Sequence, residues 1–111
     1  MPHIIVEYTD HLNLDLEKLT IELHRTLVEQ DTIKEEAIKT RAIPVKATVV
    51  GTGKCHDKMI HIALKLLPGR SDELRKTMAE ALFATARKVS LDENIAISVE
   101  TIELHTASYI K

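Results

Sequence analysis

Two stretches of helical periodicity, each set between runs of β-branched residues, constrain this chain more than any other feature. From Asn13 onward, Leu16, Leu19, Leu23 and Leu27 recur at helical spacing, with Asp15 and Glu17 near the start, where the helix dipole favours anions. Asn13 is the expected N-cap. From Ser71 to about Val89 the pattern returns, with Leu74, Met78, Leu82 and Thr85 on one stripe and Asp72 and Glu73 at the start. Ser71 is the expected cap there.

The flanking segments read as strands. His3 to Tyr8 is rich in β-branched residues and stops at Thr9-Asp10. Periodicity fails from Thr32 to Glu36, and a second extended stretch runs from about Ala37 to Val50, where Pro44 demands an edge, a bend or two short strands. Gly51-Thr52-Gly53-Lys54 is a turn signal. Met59 to Leu66 then alternates, with Ile60, Ile62, Leu64 and Leu66 on one side and His61 and Lys65 on the other. Pro68-Gly69 ends it, and Ile95 to Leu104 closes the series as a last strand.

The order is therefore strand, helix, strand, strand, helix, strand: an α+β, two-layer fold made of two βαβ units in series, with pseudo-repeat halves at about 2–50 and 59–104. Each unit should be right-handed with parallel strands, giving a four-stranded sheet with two helices on one face. The other face is then wet or covered by a further subunit, and the apolar content, 44% of residues, favours an oligomer. At 111 residues one domain spanning 1–111 is expected.

Composition removes several classes of function. A formal charge of -2 with both signs interspersed offers no basic stripe for a nucleic-acid backbone, and with three aromatic residues and no Trp there are no base-stacking platforms. No apolar run approaches the roughly 20 residues that span a bilayer, and no targeting segment is evident, so a cytoplasmic protein with no membrane partner is expected. Cys55 is alone, which fits a reducing compartment. His56 and His61 are the only close histidine pair, but neither they nor Cys55-His56-Asp57 complete a zinc motif, so no metal is expected. There is no nucleophile elbow, phosphate-binding loop or dinucleotide fingerprint, and no cofactor is expected either.

Pro2 is the first residue with chemistry to offer. Excision of Met1 ahead of a small residue leaves a secondary amine, a base near pKa 7.7–8.0 that an apolar pocket or neighbouring cations push down. Chance alone places proline at any position about one time in twenty, but this terminus leads at once into a strand, where sheet hydrogen bonds stop it fraying. Such an amine can move a proton along a conjugated enol if cations hold the substrate and stabilise developing charge. Lys39 and Arg41 share a strand face, and Arg70 stands in the Pro68-Gly69-Arg70-Ser71 turn, where the N–H groups of a helix start favour an anion. These cations suit a small-molecule carboxylate.

Three blocks carry a resemblance that runs nearly end to end: Pro2-His3-Ile4-Ile5-Val6-Glu7-Tyr8-Thr9-Asp10, then Ile60 to Leu66 with Gly69-Arg70-Ser71, then Ser98 to His105. In this order and spacing they resemble the 5-carboxymethyl-2-hydroxymuconate isomerase family of the tautomerase superfamily. The resemblance implies a homotrimer, no cofactor or metal, and an amino-terminal proline that shuttles a proton during keto-enol isomerisation of an unsaturated di- or tricarboxylic acid. By position it implies Pro2 as acid/base and Arg70 as carboxylate or oxyanion partner. Where the family has two arginines flanking a small polar residue, this chain has Lys39-Thr40-Arg41; lysine keeps the charge but lacks the bidentate fork, and Arg41 is placed to take over part of that role. The tail from Thr106 to Lys111 is shorter than the family's, and the family's mid-chain aromatics are absent.

Two other readings fit the same element order: a non-catalytic ferredoxin-like binding module in which Pro2 is incidental, and a tautomerase-fold enzyme that uses Pro2 as nucleophile or hydrolytic base.

Overall fold

A computed structural model describes residues 2–30, 33–53, 58–92 and 94–111. The elements run β1 (His3–Thr9), α1 (Leu16–Val28), β2 (Lys39–Val45), β3 (Lys58–Leu66), α2 (Asp72–Val89) and β4 (Ile95–Glu103), with short 3-10 turns at Glu35–Ala37 and Thr106–Ser108. They form one four-stranded sheet in the order β2-β1-β3-β4. β1 pairs parallel with β2, and β3 parallel with β4, as a helical crossover requires. The two halves meet where β1 runs antiparallel to β3, with His3 opposite Lys65 and Tyr8 opposite Ile60.

Alternation decides what each strand buries. Ile4 and Val6 of β1, and Ile60, Ile62, Leu64 and Leu66 of β3, turn to the helices and are buried. Leu19, Leu23 and Leu27 of α1 and Met78, Leu82 and Ala86 of α2 meet them from above, all fully buried, so the helical stripes and the strand stripes make one core. Between the helices the hydroxyls of Thr26 and Thr85 lie 2.6 Å apart, so Thr85 closes its stripe with a polar contact while Ala86 enters the core. Removing this apolar surface from water at roughly 25 cal/mol per Å² is what holds the layers together.

Local chemistry sets the ends. α1 is capped by Asp15, whose Oδ1 accepts from the Lys18 N–H at 3.0 Å, and not by Asn13. An Asn13 cap would start the helix at Leu14, so the correction shifts the first turn by two residues and brings Glu17 into it. Ser71 caps α2 as expected, its hydroxyl accepting from the Leu74 N–H at 3.1 Å. The second extended stretch is shorter than its sequence suggests. Its first residue, Ala37, belongs to a 3-10 turn, and pairing with β1 stops at Val45, just past Pro44. β2 is an edge strand, the one position in a sheet where a proline costs no ladder bond. Gly51 and Gly53 have φ of 58° and 73°, the left-handed turn conformation that suits glycine; Lys54 lies outside the described residues.

The face away from the helices carries His3, Ile5 and Glu7 of β1, Lys39, Arg41 and Ile43 of β2, and His61, Ala63 and Lys65 of β3, none of them buried. On the same face Ser98 and Glu100 of β4 reach His61: Nδ1 lies 2.6 Å from the Ser98 hydroxyl and Nε2 2.5 Å from Glu100 Oε2.

Candidate active site

The antiparallel register sets the end of β3 beside the start of β1. His3 faces Lys65, so one residue further out Pro2 comes level with Leu66. Pro2 is buried. Its carbonyl oxygen accepts the Lys39 N–H at 3.0 Å, which extends the β1–β2 ladder to the terminus and fixes the proline backbone from that side. On the other side Leu66 accepts the Leu104 N–H at 2.7 Å, so β4 is also tied in at this end of the sheet.

Arg70 follows four residues after Leu66, past Gly69, whose φ of 119° turns the chain from strand to helix cap. One guanidinium nitrogen, Nη1, donates to the Leu67 carbonyl at a long 3.5 Å. Its Nε is buried and has no hydrogen-bond partner among the described residues. A donor of a charged group left in that state costs free energy until an acceptor reaches it, and it stands one residue ahead of the α2 cap, where backbone N–H groups also favour an anion.

Lys39 and Arg41 both point away from the helices, because Thr40 between them turns inward to His24 of α1, hydroxyl to Nδ1 at 2.8 Å. The Lys39 side chain is exposed and makes no hydrogen bond or ion pair with the described residues. Arg41 is engaged: Nη1 lies 3.1 Å from Nδ1 of His3. On its other side, His3 Nε2 lies 2.7 Å from the hydroxyl of Tyr109 in the C-terminal segment. Burial, then the charges of Arg41 and Lys39, then that of Lys65, hold the His3 imidazolium below its ordinary pKa, so His3 is neutral at pH 7.

Thus Pro2, Lys39 and Arg70 share one end of the sheet, and Arg41 lies on the uncovered face one step along β2. His61 is held by Ser98 and Glu100, while Cys55, His56 and Asp57 lie outside the described residues. Among the described residues no group of three or more His, Cys, Asp or Glu side chains is placed to hold a metal ion. Sequence reasoning did not single out His3 or Tyr109. Alternation does place His3 on the uncovered face, but no local pattern marks Tyr109, whose partner is at the opposite end of the chain.

Comparison with known proteins decides the family. The model of the 5-carboxymethyl-2-hydroxymuconate isomerase family matches residues 2–111, a span that opens on Pro2. The chain is 32% identical to 5-carboxymethyl-2-hydroxymuconate Delta-isomerase of Escherichia coli, over 95% of this chain and 88% of that relative. The chain belongs to the 5-carboxymethyl-2-hydroxymuconate isomerase family. A crystal structure of an isomerase of this name from Deinococcus radiodurans R1 superposes with a TM-score of 0.87 at 26% identity, covering 99% of this chain and 87% of that one. A fused 4-OT solved as a symmetric trimer, at 16% identity and a TM-score of 0.71 over 91% of this chain and 85% of that one, shares the fold. As a member of the isomerase family with a tautomerase fold, the protein is an enzyme of the isomerase class, and the ferredoxin-like binding module loses its support.

Proposed function

We propose that this isomerase moves a proton within an unsaturated, enolic di- or tricarboxylic acid of the carboxymethyl-hydroxymuconate type, with the amine of Pro2 as the base once Met1 is removed. The observation that carries this reading is the placement, at one end of the sheet, of a buried Pro2 and of a buried Arg70 Nε that has no hydrogen-bond partner among the described residues. Burial and neighbouring cations both favour the neutral form of an amine, which is the form that can accept a proton.

In the forward direction the Pro2 nitrogen takes the enol hydroxyl proton. The electron pair moves along the conjugated system, the oxygen becomes a carbonyl, and the ammonium of Pro2 returns a proton to carbon at the far end. No atom is gained or lost and no redox partner is required. Arg70 binds a carboxylate or the oxygen on which charge develops, and Lys39, with Arg41, holds a second acid group. The chain acts as one domain over 1–111 and as a homotrimer in the cytoplasm. The trimer reading rests on the uncovered sheet face and on the trimeric fused 4-OT of the same fold.

The test begins with intact mass, because a retained Met1 acylates the proline nitrogen and abolishes its basicity. With Met1 confirmed absent, loss of the conjugated enol absorbance of a carboxymethyl-hydroxymuconate should follow on adding enzyme. Pro2→Ala should lower kcat by roughly two to four orders of magnitude with the fold retained, the range of a general base. Full turnover by that variant would rule out the proline as base.

A further inference from the structure

His3 is wedged between three cationic side chains and one phenol. On β1 it faces away from the helices, with Lys39 in register on one side and Lys65 on the other. Arg41 approaches Nδ1 and Tyr109 approaches Nε2. A guanidinium has only N–H groups to offer, so Nδ1 must be the acceptor and the ring proton must sit on Nε2. That Nε2–H donates to the Tyr109 hydroxyl oxygen, which leaves the phenol its own proton for a further acceptor. The two rings meet edge to face, with centroids 5.9 Å apart and planes at 85°, a second contact that fixes the tyrosine.

The segment bearing Tyr109 is built to deliver it there. Leu104 is tied to β3 through the Leu66 carbonyl. The 3-10 turn at Thr106–Ser108 then folds the chain back, with the N–H groups of Ser108 and Tyr109 both donating to the His105 carbonyl at 3.1 and 2.9 Å. The series from Arg41 through His3 to Tyr109 presents only N–H and O–H donors at its two ends, which suits a carboxylate.

We infer that His3 is a positioning residue of the isomerase site, which fixes the Arg41 guanidinium through Nδ1 and latches the C-terminal segment through Nε2 and Tyr109, so that cation and tail are set together next to Pro2. The inference rests on the reading of Pro2 as base and Arg41 as a carboxylate ligand. The latch needs neutral His3. The groups facing it are Arg41 and Lys39 from β2, Lys65 from β3, the chain's amino end and Tyr109 from the tail, and the charges of the cations all disfavour a further positive charge on the ring.

Nitrogen NMR of the Met1-free protein at neutral pH tests the latch directly. A neutral ring with its proton on Nε2 and an accepting Nδ1 is expected; an imidazolium, or a proton on Nδ1, overturns the inference. Kinetics test its use. Loss of one such hydrogen bond is worth up to about tenfold in KM, so Tyr109→Phe, which loses one, should raise KM by up to about that factor and His3→Ala, which loses both, by more, while kcat stays within about threefold. His3→Asn keeps an acceptor near Nδ1 but cannot reach Tyr109, so it should match Tyr109→Phe and lie closer to the parent than His3→Ala. The acidic limb that His3 gives to kcat/KM should be missing in His3→Asn. Unchanged KM in both Tyr109→Phe and His3→Ala overturns the inference. Calorimetric binding of adipate, an unreactive dicarboxylate, repeats the comparison without turnover: weaker binding by both variants supports it, equal binding overturns it. If the Met1-free parent has no isomerase activity, it is the proposed reaction that fails, and the NMR and adipate results still decide the role of His3.

Discussion

The backbone N–H of Lys39 donates to the carbonyl oxygen of Pro2 at 3.0 Å, so the residue that carries the proposed base and a residue that carries a cation of the neighbouring strand are locked into one register. The amine is held by the sheet and the ammonium of Lys39 by its own flexible stem. Positional precision is therefore greater for the proline nitrogen than for this ammonium.

That difference gives a prediction for Lys39. Its side chain is exposed and unpaired within the described residues, so Lys39→Arg should be accommodated and should lower KM for a dicarboxylate severalfold, since a guanidinium matches a carboxylate with two parallel bonds. Lys39→Ala should raise KM by about tenfold with little change in melting temperature. Steady-state kinetics with melting curves measure both, and equal KM values across the series would exclude Lys39 from the site.

Gly69 makes a separable case. A Cβ built there meets nothing within 4 Å, so any cost of substitution comes from its φ of 119° and not from crowding. Gly69→Ala should destabilise by about 1–3 kcal/mol and also raise KM, because a relaxed turn moves Arg70 off its Leu67 anchor. Urea titration with parallel kinetics reads both effects.

The depressed pKa of His3 fixes the sign of a pH effect on stability. Below about pH 6.5 the unfolded chain takes up the histidine proton before the folded protein does, so this contribution is present above that pH. It is lost as pH falls through the folded value. Melting temperatures of the parent and His3→Gln should differ by a constant amount above pH 7 and converge in acid. A gap that widens in acid would contradict a neutral, desolvated His3.

In the core, Leu82→Ala removes a fully buried side chain between α2 and the sheet and should cost about 2–5 kcal/mol. Since domains of this size have only about 5–15 kcal/mol to lose, chemical denaturation should show a clearly lower midpoint. The fraction still folded should keep a near-normal KM, because Leu82 lies on the helix side of the core and not at the Pro2 end of the sheet.

Much of the architecture was legible because its signals are local. The leucine stripe of α1, the alternation from Ile60 to Leu66 and the Ser71 cap each declare themselves within a few residues. The N-cap of α1 was misplaced because Asn13 and Asp15 are both good caps two residues apart, and only backbone geometry chooses between them. The second extended stretch ends earlier than its composition suggests because Thr48, Val49 and Val50 have strand-forming side chains but lie past the end of the ladder, Val45 being the last residue opposite β1. At the candidate site, Pro2, Lys39, Arg41 and Arg70 are proposed from their chain positions. The link from His3 to Tyr109 could not be, since a separation of 106 positions carries no spacing that sequence patterns report.

The meeting of two parallel strand pairs across the antiparallel β1–β3 seam gives the chain an approximate internal dyad, since β1-α1-β2 and β3-α2-β4 are equivalent units. The dyad repeats the scaffold but not the terminus. The head of β1 follows Pro2, whose nitrogen is an amine on the proposed reading once Met1 is removed, whereas β3 starts at Lys58 and is led by no proline. On the proposed reading each chain therefore has one amine-led strand, and a reagent that alkylates the proline nitrogen of the Met1-free protein should silence the enzyme at a stoichiometry of one per chain. Cutting the polypeptide within the turn ahead of β3 and installing a proline at the new terminus would provide the dyad-related end with the same functional group.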